Sequence, residues 1–511
     1  MKKLLAILLL FQVIISPIFG QGKPYFQQEV HYKIDCALND KNHTLSATME
    51  LEYINRSSDT LTFLYFHLWP NAYKDRTTAL AKQQLQHKNT KMFFAKPEER
   101  GYIDSLNFKS EGRQLRYQLD KNNIDICKID LSKPLYPGQR VIITTPFFVK
   151  IPNAEFSRLG HIGQAYAITQ WYPKPAVYDN KGWHAIPYLD QGEFYSEYGS
   201  YDVSITLPAN YVVGATGDLV DGAKELEWMN TKASATAAMS FPERSKDFKP
   251  DMNFPPSSSE MKTLKFHQEN VHDFGWFADK RFNVLKGESI MPRSGKHVTT
   301  WSLFTNKEAY LWKRGPEYIK DALEYYSKWV GDYPYNQCTA VDGTIAAGGG
   351  MEYPNVTIIG TSGNALTLEV TIAHEVGHNW FYGLFGSNER EHPWMDEGIN
   401  SFYEMRYWLT KYPTENGKNE NDLGASLGWI GKVTGLDKLD YKQTFDFEYN
   451  IPASARIDQP IEGAGPEFSD LNYGAIVYRK TGFVFQYLRS YLGDNVFDKA
   501  MQDYFVKWCY K

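Results

Sequence analysis

The stretch His374-Glu375-Val376-Gly377-His378 decides how the rest of this 511-residue chain is read. It lies in a proline-free run, 366–385, where Leu368, Ile372, Val376 and Trp380 recur at helical spacing. Residues i and i+4 stand one turn apart on one helix face. His374 and His378 can therefore reach one metal ion, with Glu375 beside them. Two imidazoles at this spacing suit zinc, one ion per chain, and a third protein ligand would leave one coordination position for water. Glu397, nineteen residues after His378, is the candidate third ligand. It sits in His392-Pro393-Trp394-Met395-Asp396-Glu397-Gly398-Ile399-Asn400-Ser401-Phe402-Tyr403-Glu404, which reads as the start of a second helix able to lean a carboxylate across the first. Asp396 and Glu404 are placed to orient the ligands from behind. The competing reading of the five residues alone is two helix-face histidines flanking a solvated glutamate. His392, before Pro393, reads as loop.

Just upstream lies Gly348-Gly349-Gly350-Met351-Glu352-Tyr353-Pro354, followed by the β-branched run Val356-Thr357-Ile358-Ile359. Glycines beside a strand allow close approach of a ligand to the backbone, and an extended peptide can add to such an edge through main-chain hydrogen bonds. Residues 306–330 read as helical, with Tyr310, Leu311, Ile319, Leu323, Tyr326 and Val330 on one face and Gly315-Pro316 as a break. Residues 331–511 read as mostly helical apart from 339–361. The last helix, 494–511, turns Val496, Phe497, Met501, Phe505 and Trp508 one way, an apolar face that needs a cover.

Before about residue 295 the texture is that of strands. Leu45, Ala47, Met49, Leu51 and Tyr53 alternate with mostly polar residues, as do Tyr201, Val203, Ile205 and Leu207 up to Pro208. An all-β sandwich or saddle domain is expected over 21–295, with a surface loop at 241–259. Residues 296–511 form the second domain. Lys2-Lys3, an apolar core from Leu4 to Ile15 and Gly20 before Gln21 predict an export signal over residues 1–20. The protein is then periplasmic, cell-surface or secreted, with no integral membrane segment once the signal is removed. Four widely spaced cysteines read as lone thiols, with a Cys36–Cys127 bridge left open. A net charge of −5 offers no basic field for nucleic acid. The oligomeric state is not legible.

The segment from His374 to Glu404 resembles the zinc site of the aminopeptidase N family, gluzincins that read H-E-x-x-H, eighteen residues, then Glu; Asn379 to Asp396 is eighteen residues. Phe66-His67-Leu68-Trp69-Pro70-Asn71-Ala72-Tyr73 and Gln170-Trp171-Tyr172-Pro173-Lys174 resemble parts of that family's first domain, the second in a variant of bacterial exported members. The resemblance implies a multidomain α+β chain: a β saddle, then a mostly helical thermolysin-like catalytic domain, with the family's usual C-terminal helical domain absent or truncated. It also implies roles. His374, His378 and Glu397 would hold zinc, and Glu375 would be the general base. Gly349-Gly350-Met351-Glu352-Tyr353 resembles the family's Gly-x-Met-Glu-Asn motif, in which the glutamate binds the free α-amino group of a peptide; Gly349, Gly350, Met351 and Glu352 are thus substrate-binding candidates. Here Tyr353 replaces the Asn. A second amine anchor from the first domain aligns with Tyr172, so one strong amine contact is expected rather than two. Tyr478-Arg479-Lys480-Thr481-Gly482 resembles the family's Tyr-x-Lys-Gly segment, with Thr481 in place of Gly. It makes Tyr478 the oxyanion donor, with Tyr473 as its rival. The expected activity is zinc-dependent removal of the first residue from peptides with a free N-terminus. An endopeptidase, an epoxide-type hydrolase on the same zinc core and a non-catalytic metal-binding scaffold are the alternatives.

Overall fold

The structure, a computed structural model, describes residues 25–241, 252–343, 349–413, 431–435 and 439–511. The expected export signal, Gly348 and most of the loop expected at 241–259 lie outside these residues.

Alternation builds the first half. In β1 (Glu29–Asn39) and β2 (Thr44–Ile54) every second side chain is buried, from Val30 to Leu38 and from Leu45 to Tyr53. With β3 (Arg140–Lys150), β4 (Gly199–Pro208) and β5 (Met261–Val271) they run in the order β5-β4-β1-β2-β3 through a nine-stranded sheet. Register brings Ile34 opposite Met49 on one side and Val203 on the other. Only the β1–β4 pair in this run is parallel. The half is β-rich as expected. It also carries a helix, α1 (Ala223–Ala237), which buries only Met229, Ala233 and Thr236 and so leaves little apolar periodicity to read. All four cysteines are free, and Cys36 and Cys127 lie in different sheets.

The second half is built on a five-stranded sheet of β6 (Asn283–Ile290), β7 (His297–Phe304), β8 (Gln337–Asp342), β9 (Gly350–Tyr353) and β10 (Val356–Ile359), in the order β6-β7-β8-β10-β9. The β6–β7 hairpin crosses the position 295–296 at which the domains were expected to divide. The helix expected at 306–330 is broken where Gly315-Pro316 predicts: Ala309–Trp312 is one piece and α2 (Gly315–Trp329) the other. α2 buries Tyr318, Ile319, Ala322, Leu323 and Tyr326.

The histidine helix, α3 (Ala365–Gly377), starts at Asn364, whose side chain accepts from Thr367 N. Its apolar residues Leu366, Leu368, Val370, Ile372 and Val376 are buried against α2, β9, β10 and α4 (Ile399–Lys411). Truncating Leu368 or Ile372 to alanine would cost about 2–5 kcal/mol. The helix ends well before Phe385, where the apolar run extends. The chain turns over at Tyr382 (φ 74), and Gly383 N returns to His378 O. Trp380, Phe381, Leu384 and Phe385 are thereby buried from a turn. Of the expected terminal apolar face on α5 (Asp494–Trp508), Phe497 is buried, Phe505 packs edge-on to Phe385, and Val496 is exposed. Among the described residues no helix is long and apolar enough to cross a membrane.

Candidate metal centre

α3 presents His374 in its last turn, and His378 caps its C-terminus. The approach to α4 supplies the third group from a π-helical turn, Trp394–Gly398, which turns Asp396 and Glu397 inward. The three ligand atoms form a nearly equilateral triangle. His374 Nε2 and His378 Nε2 are 3.1 Å apart, and Glu397 Oε2 lies 3.2 Å from the first and 3.3 Å from the second. Tetrahedral zinc with bonds of about 2.0–2.1 Å spaces its ligands by about 3.3 Å. The triangle therefore fits one zinc ion with little movement.

Each ligand is held from behind. Glu404 Oε2 is 2.7 Å from His374 Nδ1, and Asp396 Oδ1 is 2.5 Å from His378 Nδ1. Both carboxylates accept the imidazole Nδ1–H, which leaves Nε2 to face the metal. Tyr441 donates to Glu404 Oε1. Asn400 Nδ2 donates to His374 O at 2.8 Å. Gly377 makes that approach possible: a Cβ there would lie 2.1 Å from Asn400 Oδ1.

The charges answer one another. Burial opposes protonation of His374, but hydrogen bonds to Glu397 and Glu404 override it and lift the imidazole to about 10. Burial likewise tends to raise Glu397, and the two histidines override it and hold the carboxyl well below its usual range. The carboxylates gathered round the two imidazoles suit a cation at the triangle.

Around the triangle lies a cavity of about 310 Å³, lined by Gly349, Gly350, Met351, Glu352, Glu375 and Tyr478 as well as the ligands. Every site residue expected from the sequence is therefore in one place. Glu375 reaches it from α3. Burial lifts its carboxyl to about 7 against the pull of His374 and His378, and its Oε2 has no hydrogen-bond partner among the described residues. β9 is the edge of its sheet and passes so close that a Cβ on Gly350 would sit 2.3 Å from Glu375 Oε1. Glu352 follows on the same strand. It offers an oxygen within 4.8 Å of ligating atoms of His378, Asp396 and Glu397, and its Oε1 is buried without a partner among the described residues. Burial raises its pKa well above the ordinary value, against the opposing charge of His378. Tyr478 Oη donates to Glu397 Oε1 at 2.5 Å, while the buried hydroxyl of Tyr473 has no partner among the described residues.

Residues 317–511 match the sequence pattern described as the Peptidase family M1 domain. This segment is therefore similar to peptidase family M1 domains. Zinc is the metal its ligand triangle fits. Leucine aminopeptidase 2-1 from Meyerozyma guilliermondii is 28% identical over 170 residues, 32% of this chain and 25% of the relative. Aminopeptidase M1-B from rice, Oryza sativa subsp. japonica, is 25% identical over 154 residues, 30% of this chain and 15% of the relative. The match thus spans a quarter or less of these relatives' own length. The fold as a whole resembles that of an M1 zinc metallopeptidase from Deinococcus radiodurans, with a TM-score of 0.56 at 14% identity, covering 95% of this chain and 87% of that one.

Two tyrosines, one on each side of the start of the matched segment, alter the expected site. Tyr172 is buried in the β-rich half and donates to Asp273 Oδ1 at 2.8 Å; it does not line the cavity. Tyr353, where the family has Asn, donates to Gln170 Oε1 at 3.0 Å and ties β9 to that half. Glu193 does line the cavity, and sequence reasoning missed it. It lies far upstream of the metal motif, and Gln191-Gly192-Glu193-Phe194 carries no ligand spacing. Arg479, which also lines the cavity, adds a cation 3.9 Å from Glu404 Oε1.

Proposed function

We propose that the protein is a zinc-dependent aminopeptidase that hydrolyses the first peptide bond of peptides with a free amino terminus. The observation that carries this reading is the unpartnered, buried carboxylate oxygen of Glu352 beside the ligand triangle. Such an oxygen costs about 1–3 kcal/mol or more unless a donor arrives, and a substrate ammonium is a donor of matching charge. A Deinococcus M1 zinc metallopeptidase of similar fold is described with a Tyr-Ser-Ala substrate bound, which agrees with peptides as the substrate class.

Zinc held by His374, His378 and Glu397 would act as a Lewis acid toward water and the scissile carbonyl. The protein's own groups do the rest. The main chain of β9 pairs with an extended substrate, and Glu352 fixes its amino group so that the first peptide bond faces Glu375. Glu375 takes the proton of the attacking water and delivers it to the leaving amine; a carboxyl lifted to about 7 suits both steps near neutral pH. Tyr478 turns its hydroxyl from Glu397 toward the carbonyl oxygen as negative charge develops there. The amino-terminal sequence supports an exported location.

The test compares free and N-acetylated peptides, each with and without a chelator. The reading expects chelator-sensitive release of the first residue from free peptides only. Equal cleavage of both would leave an endopeptidase, and absence of turnover by zinc-loaded protein would leave a scaffold.

A further inference from the structure

Among the groups lining the metal cavity are several carboxylates and one guanidinium, that of Arg479. It follows Tyr478 in the helical turn Tyr473–Lys480, and consecutive helical residues project about 100° apart. Arg479 therefore leaves the turn on a different side from the hydroxyl that meets Glu397. The helix Tyr441–Ser454 holds it there, with Tyr441, Phe445 and Glu448 at helical spacing on one face. The Phe445 ring centre lies 4.4 Å from the guanidinium carbon, Glu448 Oε2 accepts from Nε at 2.5 Å, and Tyr441 donates to Glu404.

The fork of this arginine is left open. A guanidinium has five N–H donors, and the one on Nε is spent. Nη1 stands 3.9 Å from Glu404 Oε1, beyond hydrogen-bond reach, and neither Nη has a hydrogen bond among the described residues. Glu404 is itself committed to His374 Nδ1 and Tyr441. An arginine kept only to pair with Glu448 would turn its fork to that carboxylate, since two parallel bonds are the favoured geometry. Instead the side chain is 29% exposed and lines the cavity.

Position along α3 decides which part of a substrate meets it. Glu352 lies at the His378 end of the triangle, within 4.8 Å of ligating atoms of His378 and Glu397. Glu404 and Arg479 lie at the His374 end, one helical turn or about 5.4 Å nearer the start of α3. The strand gives the same direction. Back along β9 from Glu352 come Gly350, against Glu375, and then Gly349, where a Cβ would meet Thr371 at 3.9 Å. A peptide held by its amino group at Glu352, with its first bond at Glu375, thus carries its leaving residues past Thr371 toward Arg479. At about 310 Å³ the cavity is at the small end for ligand sites, which suits a short peptide.

We propose that Arg479 determines specificity: its open fork receives a substrate carboxylate on the leaving side of the scissile bond. The free carboxy terminus of a short peptide and an acidic side chain at the second residue both offer that chemistry. The proposal rests on the aminopeptidase reading and concerns the end of the substrate away from its amino group.

The experiment measures kcat and KM of zinc-loaded wild type, Arg479→Gln and Arg479→Lys on trialanine, trialanine amide, Ala-Glu-Ala amide and N-acetyl-trialanine, with zinc content determined on each preparation. Wild type that cleaves N-acetyl-trialanine as well as trialanine sinks the aminopeptidase reading itself. Given dependence on the free amine, wild type should bind a carboxylate-bearing peptide with a KM about ten- to hundredfold below that of trialanine amide, the worth of a hydrogen bond to a charged group. An advantage of trialanine assigns the fork to the carboxy terminus, and an advantage of Ala-Glu-Ala amide assigns it to the side chain. Arg479→Gln should erase the advantage with zinc retained, and Arg479→Lys, which keeps the charge without the fork, should keep part of it. No advantage in wild type, or one that survives in Arg479→Gln, overturns the role of Arg479 and leaves the aminopeptidase activity standing. If Arg479→Gln does not fold, Arg479→Lys decides alone: a reduced advantage supports the role, and an undiminished one overturns it.

Discussion

Replacing Gly350 by alanine should disable Glu375 without touching it. The new Cβ would lie 2.3 Å from Glu375 Oε1, 2.5 Å from Cδ and 2.6 Å from Cγ. Ordinary contact needs about 3.5 Å, so the carboxylate or the strand must retreat by about 1 Å. The strand is not free to move, because β9 is laddered to β10 through Gly350–Ile359 and Met351–Ile358. Glu375 therefore moves. A misplacement of about 1 Å in a reacting group costs on the order of a hundredfold in rate, about 2.7 kcal/mol of barrier. Steady-state kinetics on an aminoacyl amide, zinc analysis and circular dichroism on the same preparation make the assay. We expect kcat to fall about a hundredfold while zinc content and fold are retained, because His374, His378 and Glu397 lie off the line of the clash. Adding Glu375→Asp, which shortens the side chain by one methylene, should restore part of the loss and make the pair non-additive. A Gly350→Ala enzyme within about threefold of wild type, against the hundredfold expected, would refute the placement of Glu375 against β9 and its role as base.

Other consequences are as direct. Glu375→Gln should keep zinc and lose about a hundredfold to ten-thousandfold in kcat; a near-normal rate removes Glu375 from the mechanism. Asp396→Asn and Glu404→Gln should each weaken zinc binding about 10–100-fold, measured by competition with a chromophoric chelator; unchanged affinity would mean that they do not orient His378 and His374. Tyr478→Phe should lower kcat about a hundredfold to a thousandfold with zinc retained, and Tyr473→Phe should not; the reverse pattern gives the oxyanion role to Tyr473. Stability should also depend on pH. Burial, with Asp273 opposing, depresses His272 to about 3, and burial with Lys174 depresses His67 to about 3. Below about pH 6.5 the unfolded chain therefore binds protons that the folded chain refuses, and stability falls as pH drops toward 3, by up to ~1.4 kcal/mol per pH unit per histidine. In denaturant melts of the zinc-loaded protein at pH 7 and 5, His272→Phe should flatten that slope; an unchanged slope contradicts the assignment.

The metal centre was legible because its chemistry is local. His374 and His378 share one turn of one helix, and Asp396, Glu397 and Glu404 sit on the next turn and helix, so spacing alone gathers three ligands and the two carboxylates behind them. The strands of the first sheet were legible for the same reason, since β1 and β2 bury every second residue. What escaped depends on contacts distant in sequence. α1 buries three residues of fifteen and so carries little periodic signal. The apolar run after His378 reads as more helix, but Tyr382 takes a positive φ and folds those aromatics into a turn. Glu193 reaches the site only because Arg158, Glu389 and Arg390 hold the backbone around it, and nothing in its neighbours announces that.

Anomalous diffraction at the zinc edge from crystals of the zinc-loaded protein tests the central claim most directly. We expect one peak per chain, about 2.0–2.2 Å from His374 Nε2, His378 Nε2 and Glu397 Oε2. No peak at that triangle, or one that leaves Glu397 outside bonding distance, would contradict it.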